Sequence, residues 1–325
     1  MKADIRVPAW AVSLISDHTD MIRNPHPLDA AKVGRFALEL PDDAYFEYAF
    51  LDASGSVRAD PENPVRGENP WYPEVSAFVG PSYQPDAYAA LDKAFDRGTT
   101  TRHRLQSRAL GALRRFTVYT LAGFEAASLP VVLVQDGVAY QRVAGLQRVL
   151  EALLDRGEVR PAHLVFIEPA DRTVEYGFNP DYRAFITDEL LPFVAAHHPC
   201  SEECLLLGAS LGGLVSATLA LEHPELFGTV LCQSGAFLGT PEEREFYRTR
   251  ESWLLETLEG HVRLPLRWYL EVGAFEWLLD VNREIHRVLL DKGYDHAYVE
   301  RPAGHNWVNW RNGLASALRF GLAAS

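Results

Sequence analysis

LLLGASLGGLVSATLALEHPELFGTVLCQSGAF, residues 205 to 237, is the stretch from which the rest of the chain is read. Three leucines run into Gly208-Ala209-Ser210-Leu211-Gly212-Gly213, and an apolar, alanine-rich segment at helical spacing follows, so the local pattern is strand, sharp turn, helix. That is the setting of a G-x-S-x-G nucleophile elbow, in which Ser210 occupies a strained turn with its hydroxyl above a sheet. Glycines are expected at 208 and 212 because side chains there would collide across so tight a bend. The turn also opens a helix, which aims the backbone N–H of Leu211 at the place where negative charge develops on an attacked carbonyl. The competing reading is an inert serine in a glycine-rich turn. A phosphate loop would want Gly-Lys-Ser/Thr, which is not here.

The 325 residues can hold one large domain or two ordinary ones, and 47% apolar residues suffice for a substantial core. A formal net charge of -13 opposes phosphate backbones and anionic membranes, and no run of Lys/Arg forms a local exception, so neither nucleic acid nor a membrane is expected as a partner. No apolar run approaches the ~20 residues of a membrane span. The opening MKADIRVPAWAVSLIS lacks a basic start followed by an uninterrupted apolar core, which makes a cytoplasmic location the expectation. Three cysteines, Cys200, Cys204 and Cys232, are too few and too odd in number for a disulfide framework. His197, His198, Cys200 and Cys204 crowd at a predicted helix end, but their spacing matches no zinc pattern, and no metal is expected.

Up to about residue 83, short apolar runs (WAVSLIS, RFALELP, YFEYAFLD, SAFVGPSY) alternate with turn clusters (RNPHP, PDDA, DPENP), and no long helix appears. This predicts a small antiparallel β-sandwich over 1–83. QPDAYAALDKAFDRGTT, 84–100, reads as a short helical and polar linker. From 101 to 325 the signals alternate. Strands are expected at 114–121, 130–136, 162–168, 204–208, 228–234, 267–273 and 296–301, and helices at 139–157, 181–198, 214–224, 275–293 and 307–323. Near-continuous Val/Leu/Ile runs separated by helices mean a mostly parallel sheet buried on both faces, which presents ligands at the carboxyl ends of its strands.

A serine hydroxyl is a weak nucleophile without a base to take its proton, and the base needs a third group to fix its tautomer. In α/β-hydrolases the acid and then the histidine follow the serine in the chain. Glu276 comes three residues past the strand RWYLEVG, with Asp280 one turn further as the alternative acid. His305 lies in PAGHNW after the strand HAYVER, in a glycine-bearing loop before the last helix. A second oxyanion donor is expected from the loop after an early strand, where VVLVQDGVAY offers the amide of Val138 or of Gly137, and Asp136 reads as a structural turn residue. Such chemistry needs no cofactor.

The segments LQSRALGALRRFTVYT, VVLVQDGVAYQ, ADRTVEYGFNPDYRAFITDELLPFV, LLLGASLGGLVSATLALEHPELFG, LEVGAFE and AGHNWVNWRNGL, spread over 105–314, resemble the esterase family that contains enterochelin esterases, esterase D, feruloyl esterases and the mycolyltransferases. The resemblance implies an α/β-hydrolase fold with Ser210 as nucleophile, Glu276 as acid, His305 as base and the amides of Leu211 and Val138 as oxyanion donors. Asn306 departs from it, since relatives commonly have Asp there. Arg172 and Glu175 match an R-x-x-E pattern of the family. Its main reading is an ion pair that holds the loop, and its second is contact of Arg172 with an anionic or catechol-bearing substrate; Trp307 is a further candidate for substrate contact.

The N-terminal order, a strand, HTDM, GRFALELPDDAYFEYAFLD and DPENP, resembles the early-set, immunoglobulin-like domain that precedes the catalytic domain in enterochelin-esterase-like proteins, a relative of carbohydrate-binding module family 48. Met21 stands where glycan-binding members of that group usually place an exposed aromatic; Trp71 and Tyr72 are the aromatics left to contact a ligand. The segment LGTPEEREFYRTRESWLLETLEG, 238–260, either borders the substrate pocket or presents a solvated helix face. The expected activity is therefore a serine esterase acting on a small-molecule ester, a siderophore or an acylated sugar. A non-catalytic binding protein on a hydrolase scaffold is the alternative from a different class. The oligomeric state is left open.

Overall fold

The computed structural model describes residues 1–28, 34–243, 246 and 249–324. The chain forms two compact units, one of Met1–Asp86 with Val272–Leu279 and Glu300–Trp310, the other of the remainder.

The first unit is built on strands β1 (Lys2–Arg6), β2 (Ala11–Ser16), β3 (His26–Pro27), β4 (Arg35–Glu39), β5 (Tyr45–Asp52), β6 (Val57–Arg58) and β7 (Ser76–Val79). β1 and β4 form an antiparallel pair. A five-stranded sheet runs β3-β2-β5-β6, with β7 also on β5. Ile5, Leu14, Phe46, Tyr48 and Phe50 make one buried cluster from both sheets. The only helical elements described in Met1–Asp86 are the 3-10 turns Asp17–Thr19 and Met21–Arg23, which follow β2 directly.

The second unit is organised by an eight-stranded mixed sheet with β8 (Thr99–Gln106), β9 (Leu113–Thr120), β10 (Leu129–Val134), β11 (His163–Ile167), β12 (Cys200–Ala209), β13 (Thr229–Gln233), β14 (Arg267–Gly273) and β15 (Asp295–Arg301), in the order β15-β14-β13-β12-β10-β11-β9-β8. β11, β10, β12, β13 and β14 pair in parallel, as the apolar runs require. β9 is antiparallel to β11 and to β8. Leu205, Leu206 and Leu207 at the centre of the sheet are fully buried. The helix Leu211–Glu222 is apolar on every side and is buried from Leu211 to Leu221.

Several expected elements differ in detail. The helix expected over 139–157 is interrupted: a π-helical turn, Tyr140–Ala144, ends at Gly145 with φ 67°, and the α-helix proper is Leu146–Asp155. The helix expected over 181–198 likewise carries a π-helical segment, Phe185–Leu190, between Pro180–Ala184 and Leu191–His197. β8 was not expected as a strand at all; its sequence TTTRHRLQ carries no apolar alternation, and pairing along the whole of β9 holds it extended. In 238–260 the described helix is Trp253–Gly260, and Arg244, Glu245, Tyr247 and Arg248 lie outside the described residues. Among the described residues no helix is long and apolar enough to cross a membrane.

Replacing Leu206, fully buried at the middle of β12, by Ala is expected to lower the unfolding free energy by about 2–5 kcal/mol. Chemical denaturation checks this; a loss below ~1 kcal/mol would place the core elsewhere.

Candidate active site

Ser210 stands at the end of β12 with φ 57° and ψ -122°, a left-handed backbone that a side-chain-bearing residue adopts at a cost of about 1–3 kcal/mol. The surroundings enforce it. A Cβ on Gly208 would lie 2.3 Å from the backbone carbon and oxygen of Gly212, and one on Gly212 would crowd Gln135 and Asp136 at 3.1 Å. Ser210 N–H donates to the Gln233 carbonyl at 2.9 Å, and its carbonyl accepts from Leu214 at 3.1 Å and Ala236 at 3.0 Å. Strand, turn and helix are thereby locked to β13. As the first residue of the helix, Leu211 has an N–H without an intrahelical acceptor.

The loop after β10 is fixed to the elbow by charge. Arg172 donates from Nε and Nη2 to the two Asp136 carboxylate oxygens, each at 2.9 Å, and from Nη2 to the Ala209 carbonyl at 3.0 Å. Asp136 itself takes a left-handed φ of 54° and donates its N–H to the Tyr176 hydroxyl at 2.9 Å. Arg172 and Glu175 do not pair with each other as the R-x-x-E spacing suggested; Glu175 instead binds Arg114. The Val138 N–H donates to Glu168 Oε2 at 3.1 Å, and burial raises the Glu168 carboxyl above the usual carboxylate range. Gly137 is needed for close approach, since a Cβ there would sit 2.6 Å from Phe166 and Ile167.

In the other unit, His305 Nδ1 lies 2.7 Å from Glu276 Oε2. An ionised carboxylate only accepts, so Nδ1 carries the hydrogen and Nε2 is the basic nitrogen. Glu276 is itself aligned: its Oε1 accepts from the Gly273 N–H at 2.8 Å and from Asn309 Nδ2 at 3.3 Å. The carboxylate against His305 is thus that of Glu276, while Asp280 is exposed in the first turn of the helix Leu279–Asp291. Trp277 and Trp310 wall the imidazole, with ring centroids at 4.5 and 5.0 Å. Trp307 is 2% exposed and packs on Trp71 and Trp310; the exposed ring of that group is Trp71, at 53%.

The loop bearing His305 is gripped by the turn after β2, a contact with no local signal in the sequence. Asp17 is buried and accepts from the Glu47 N–H at 2.7 Å and from Asn306 Nδ2 at 3.3 and 3.5 Å. Gly304 must be glycine, because a Cβ would come within 2.0 Å of the Asp17 side chain. Asn306, the departure from the family pattern, follows from this contact: its amide donates to Asp17, whereas a second carboxylate would be repelled. Burial, and after it the nearby Glu47 carboxylate, hold the Asp17 carboxyl well above the usual range. Among the described residues no group of three or more His, Cys, Asp or Glu is arranged to hold a metal.

The family described as "Putative esterase" matches residues 107–320. The iron(III) enterobactin esterase of Dickeya dadantii is 30% identical over 280 residues, 79% of this chain and 64% of that protein. The Escherichia coli K12 iron(III) enterobactin esterase is 30% identical over 222 residues, 66% and 54% of the two chains. The chain therefore spans less than two thirds of either relative. Among solved structures, the ferric enterobactin esterase of Salmonella typhimurium superposes with a TM-score of 0.74 at 22% identity, covering 98% of this chain and 92% of its own. A Shigella flexneri enterobactin esterase solved in the presence of enterobactin gives 0.72 at 23%, covering 98% and 91%. A ferulic acid esterase gives 0.60 at 20%, covering 70% and 98%. At these identities the superpositions establish a shared mixed α/β fold.

Asp17 yields a pH prediction. Its carboxyl holds its proton more tightly folded than unfolded, so its contribution to stability is full below the ordinary carboxylate pKa and lost as the pH rises through the raised value. Relative to the native protein, Asp17→Asn is expected to gain unfolding free energy as the pH rises from the acid range to neutrality, read by urea denaturation at each pH. A constant difference would contradict the raised value.

Proposed function

Since the chain belongs to the esterase family that matches residues 107–320, we propose that it is a serine esterase that cleaves carboxylic esters through an acyl-enzyme, of the enterochelin type. The observation that carries the chemistry is the Glu276–His305 hydrogen bond of 2.7 Å, which leaves Nε2 as a base, on a chain whose elbow after β12 holds Ser210 at φ 57°.

In this reading Ser210 Oγ attacks the ester carbonyl carbon while His305 Nε2 takes its proton, and Glu276 stabilises the imidazolium without accepting a proton itself. The tetrahedral oxyanion is held by the Leu211 N–H together with that of Gly137 or Val138. Val138 serves only if the developing charge displaces Glu168 as its acceptor. Collapse expels the alkoxide, which leaves as the alcohol with the proton from His305. Water then repeats the sequence on the acyl-enzyme, His305 again acting as base. No cofactor is required by any step.

The substrate class rests on the relatives. Two at 30% identity are iron(III) enterobactin esterases, and the structural likeness to enterobactin esterases extends over 98% of this chain, against 70% for a ferulic acid esterase. A siderophore ester is therefore preferred to an acylated sugar. The strands of Met1–Asp86 support reading 1–83 as an immunoglobulin-like β module and the mixed sheet supports reading 101–325 as a catalytic domain of the α/β-hydrolase type, with 84–100 as the linker although the second compact unit begins at Ala87, and with Glu276 and His305 on loops that fold together with the β module.

Ser210→Ala is expected to lower kcat on aryl esters by at least ~10³-fold with an unchanged circular dichroism spectrum. Glu276→Gln should cost about 10²–10⁴-fold in kcat with a smaller change in KM, because it disturbs the tautomer of the base. Steady-state kinetics on an aryl ester panel and on a ferric siderophore triester decide both. Turnover retained by Ser210→Ala would overturn the reading.

A further inference from the structure

A cavity of about 700 Å³ in the second unit is lined by Arg102, Arg104, Arg115, Arg142 and Arg148 against two carboxylates, Asp96 and Glu168. In a protein of net charge -13 this concentration of arginine is unexpected. Among the described residues Arg102, Arg104, Arg115 and Arg142 form no ion pair, and Arg148 donates only to the Leu91 carbonyl, at 3.0 Å. Arg104 and Arg115 are direct cross-strand partners on β8 and β9, an arrangement in which like charges repel. Arg142 belongs to the π-helical turn Tyr140–Ala144, an irregularity that recurs at functional sites. Four cations against two carboxylates that they do not pair with leave an excess of positive charge in the cavity, a site that awaits negative charge.

The sheet register shows where the cavity lies. Leu207, Val134, Phe166, Thr117 and Arg102 form one row across β12, β10, β11, β9 and β8. Ser210, Val138, Glu168, Arg115 and Arg104 all follow that row in the same direction, so the arginines occupy the edge of the sheet that carries the elbow. Three to four strand spacings separate them from Ser210, roughly 14–19 Å. Val138 lines the cavity.

We propose that this arginine cavity is the subsite for a polyanionic part of the ester substrate, held about 15 Å from the bond that Ser210 cleaves. The inference rests on the esterase reading above and adds to it a charge requirement and a length. Arg172, engaged with Asp136 and Ala209, does not line this cavity. Guanidinium groups suit carboxylate or catecholate oxygens, which they meet in pairs.

The test uses two matched aryl esters, one with a short neutral acyl chain and one whose acyl arm carries three carboxylates ~15 Å from the ester. The native protein should favour the anionic ester in kcat/KM, and that preference should fall as salt is raised from ~0.05 to ~0.5 M. The double variant Arg104→Gln, Arg115→Gln and the single variant Arg142→Gln should each cut the preference, the double by about tenfold or more, chiefly through KM. Should the double variant fail to fold, the single variant and the salt titration of the native protein decide. A preference that is absent, insensitive to salt, or intact in the folded variants overturns the subsite while leaving the esterase reading standing. Neutral-ester turnover that survives Ser210→Ala would instead overturn the esterase reading itself.

Discussion

Closing a strand onto a helix within a single residue is the constraint on which the second unit depends. Ser210 is held in a left-handed conformation because Gly208 and the Gly212 backbone approach too closely to admit a side chain, and because Gln233 at the end of β13 accepts its N–H while Ala236, just beyond that strand, donates to its carbonyl. The strain is local, and the burial of the whole helix Leu211–Glu222 supports it. Once the turn is fixed, the hydroxyl, the free N–H of Leu211 and the loop after β10 share one edge of the sheet. Arg172 then ties that loop to Ala209, the residue before Ser210, so a single ion pair sets the spacing between the elbow and the amides of Gly137 and Val138.

The imidazole of His305 is positioned by a separate mechanism. Glu276 and His305 lie on loops that fold with the N-terminal strands, and their orientation is fixed by neutral donors: the Gly273 amide, Asn309, and Asn306 on a buried Asp17. A carboxyl buried next to Glu47 is costly unless donors surround it, and the amide of Asn306 is one of them. The N-terminal β module thus has a structural part in holding the imidazole, whether or not it meets a ligand.

The elbow was legible because its requirements are local: a leucine strand, two glycines flanking a serine, and an apolar helix within a few residues. The pairing of Glu276 with His305 was legible from their order and their places after late strands. Asp17 was not, since its partner Asn306 is 289 residues away and nothing near Asp17 distinguishes it from an ordinary turn residue. β8 was missed because Thr, Arg and His alternate there without an apolar face, and its extended form comes from pairing with β9. The arginine cavity was missed for a related reason. Its charges are scattered over β8, β9 and the region 142–148, so no basic run appears, and only the register brings them together. Arg172 and Glu175 show the converse: a spacing that suggested one pair resolves into two, with Asp136 and Arg114.

The most direct test of the central claim is labelling of the native folded chain with a fluorophosphonate, located by peptide mass spectrometry. One adduct per chain on Ser210, formed much more slowly in His305→Ala, is what a serine activated by that imidazole predicts. Absence of labelling in folded protein, an adduct on another serine, or a rate indifferent to His305 would contradict it.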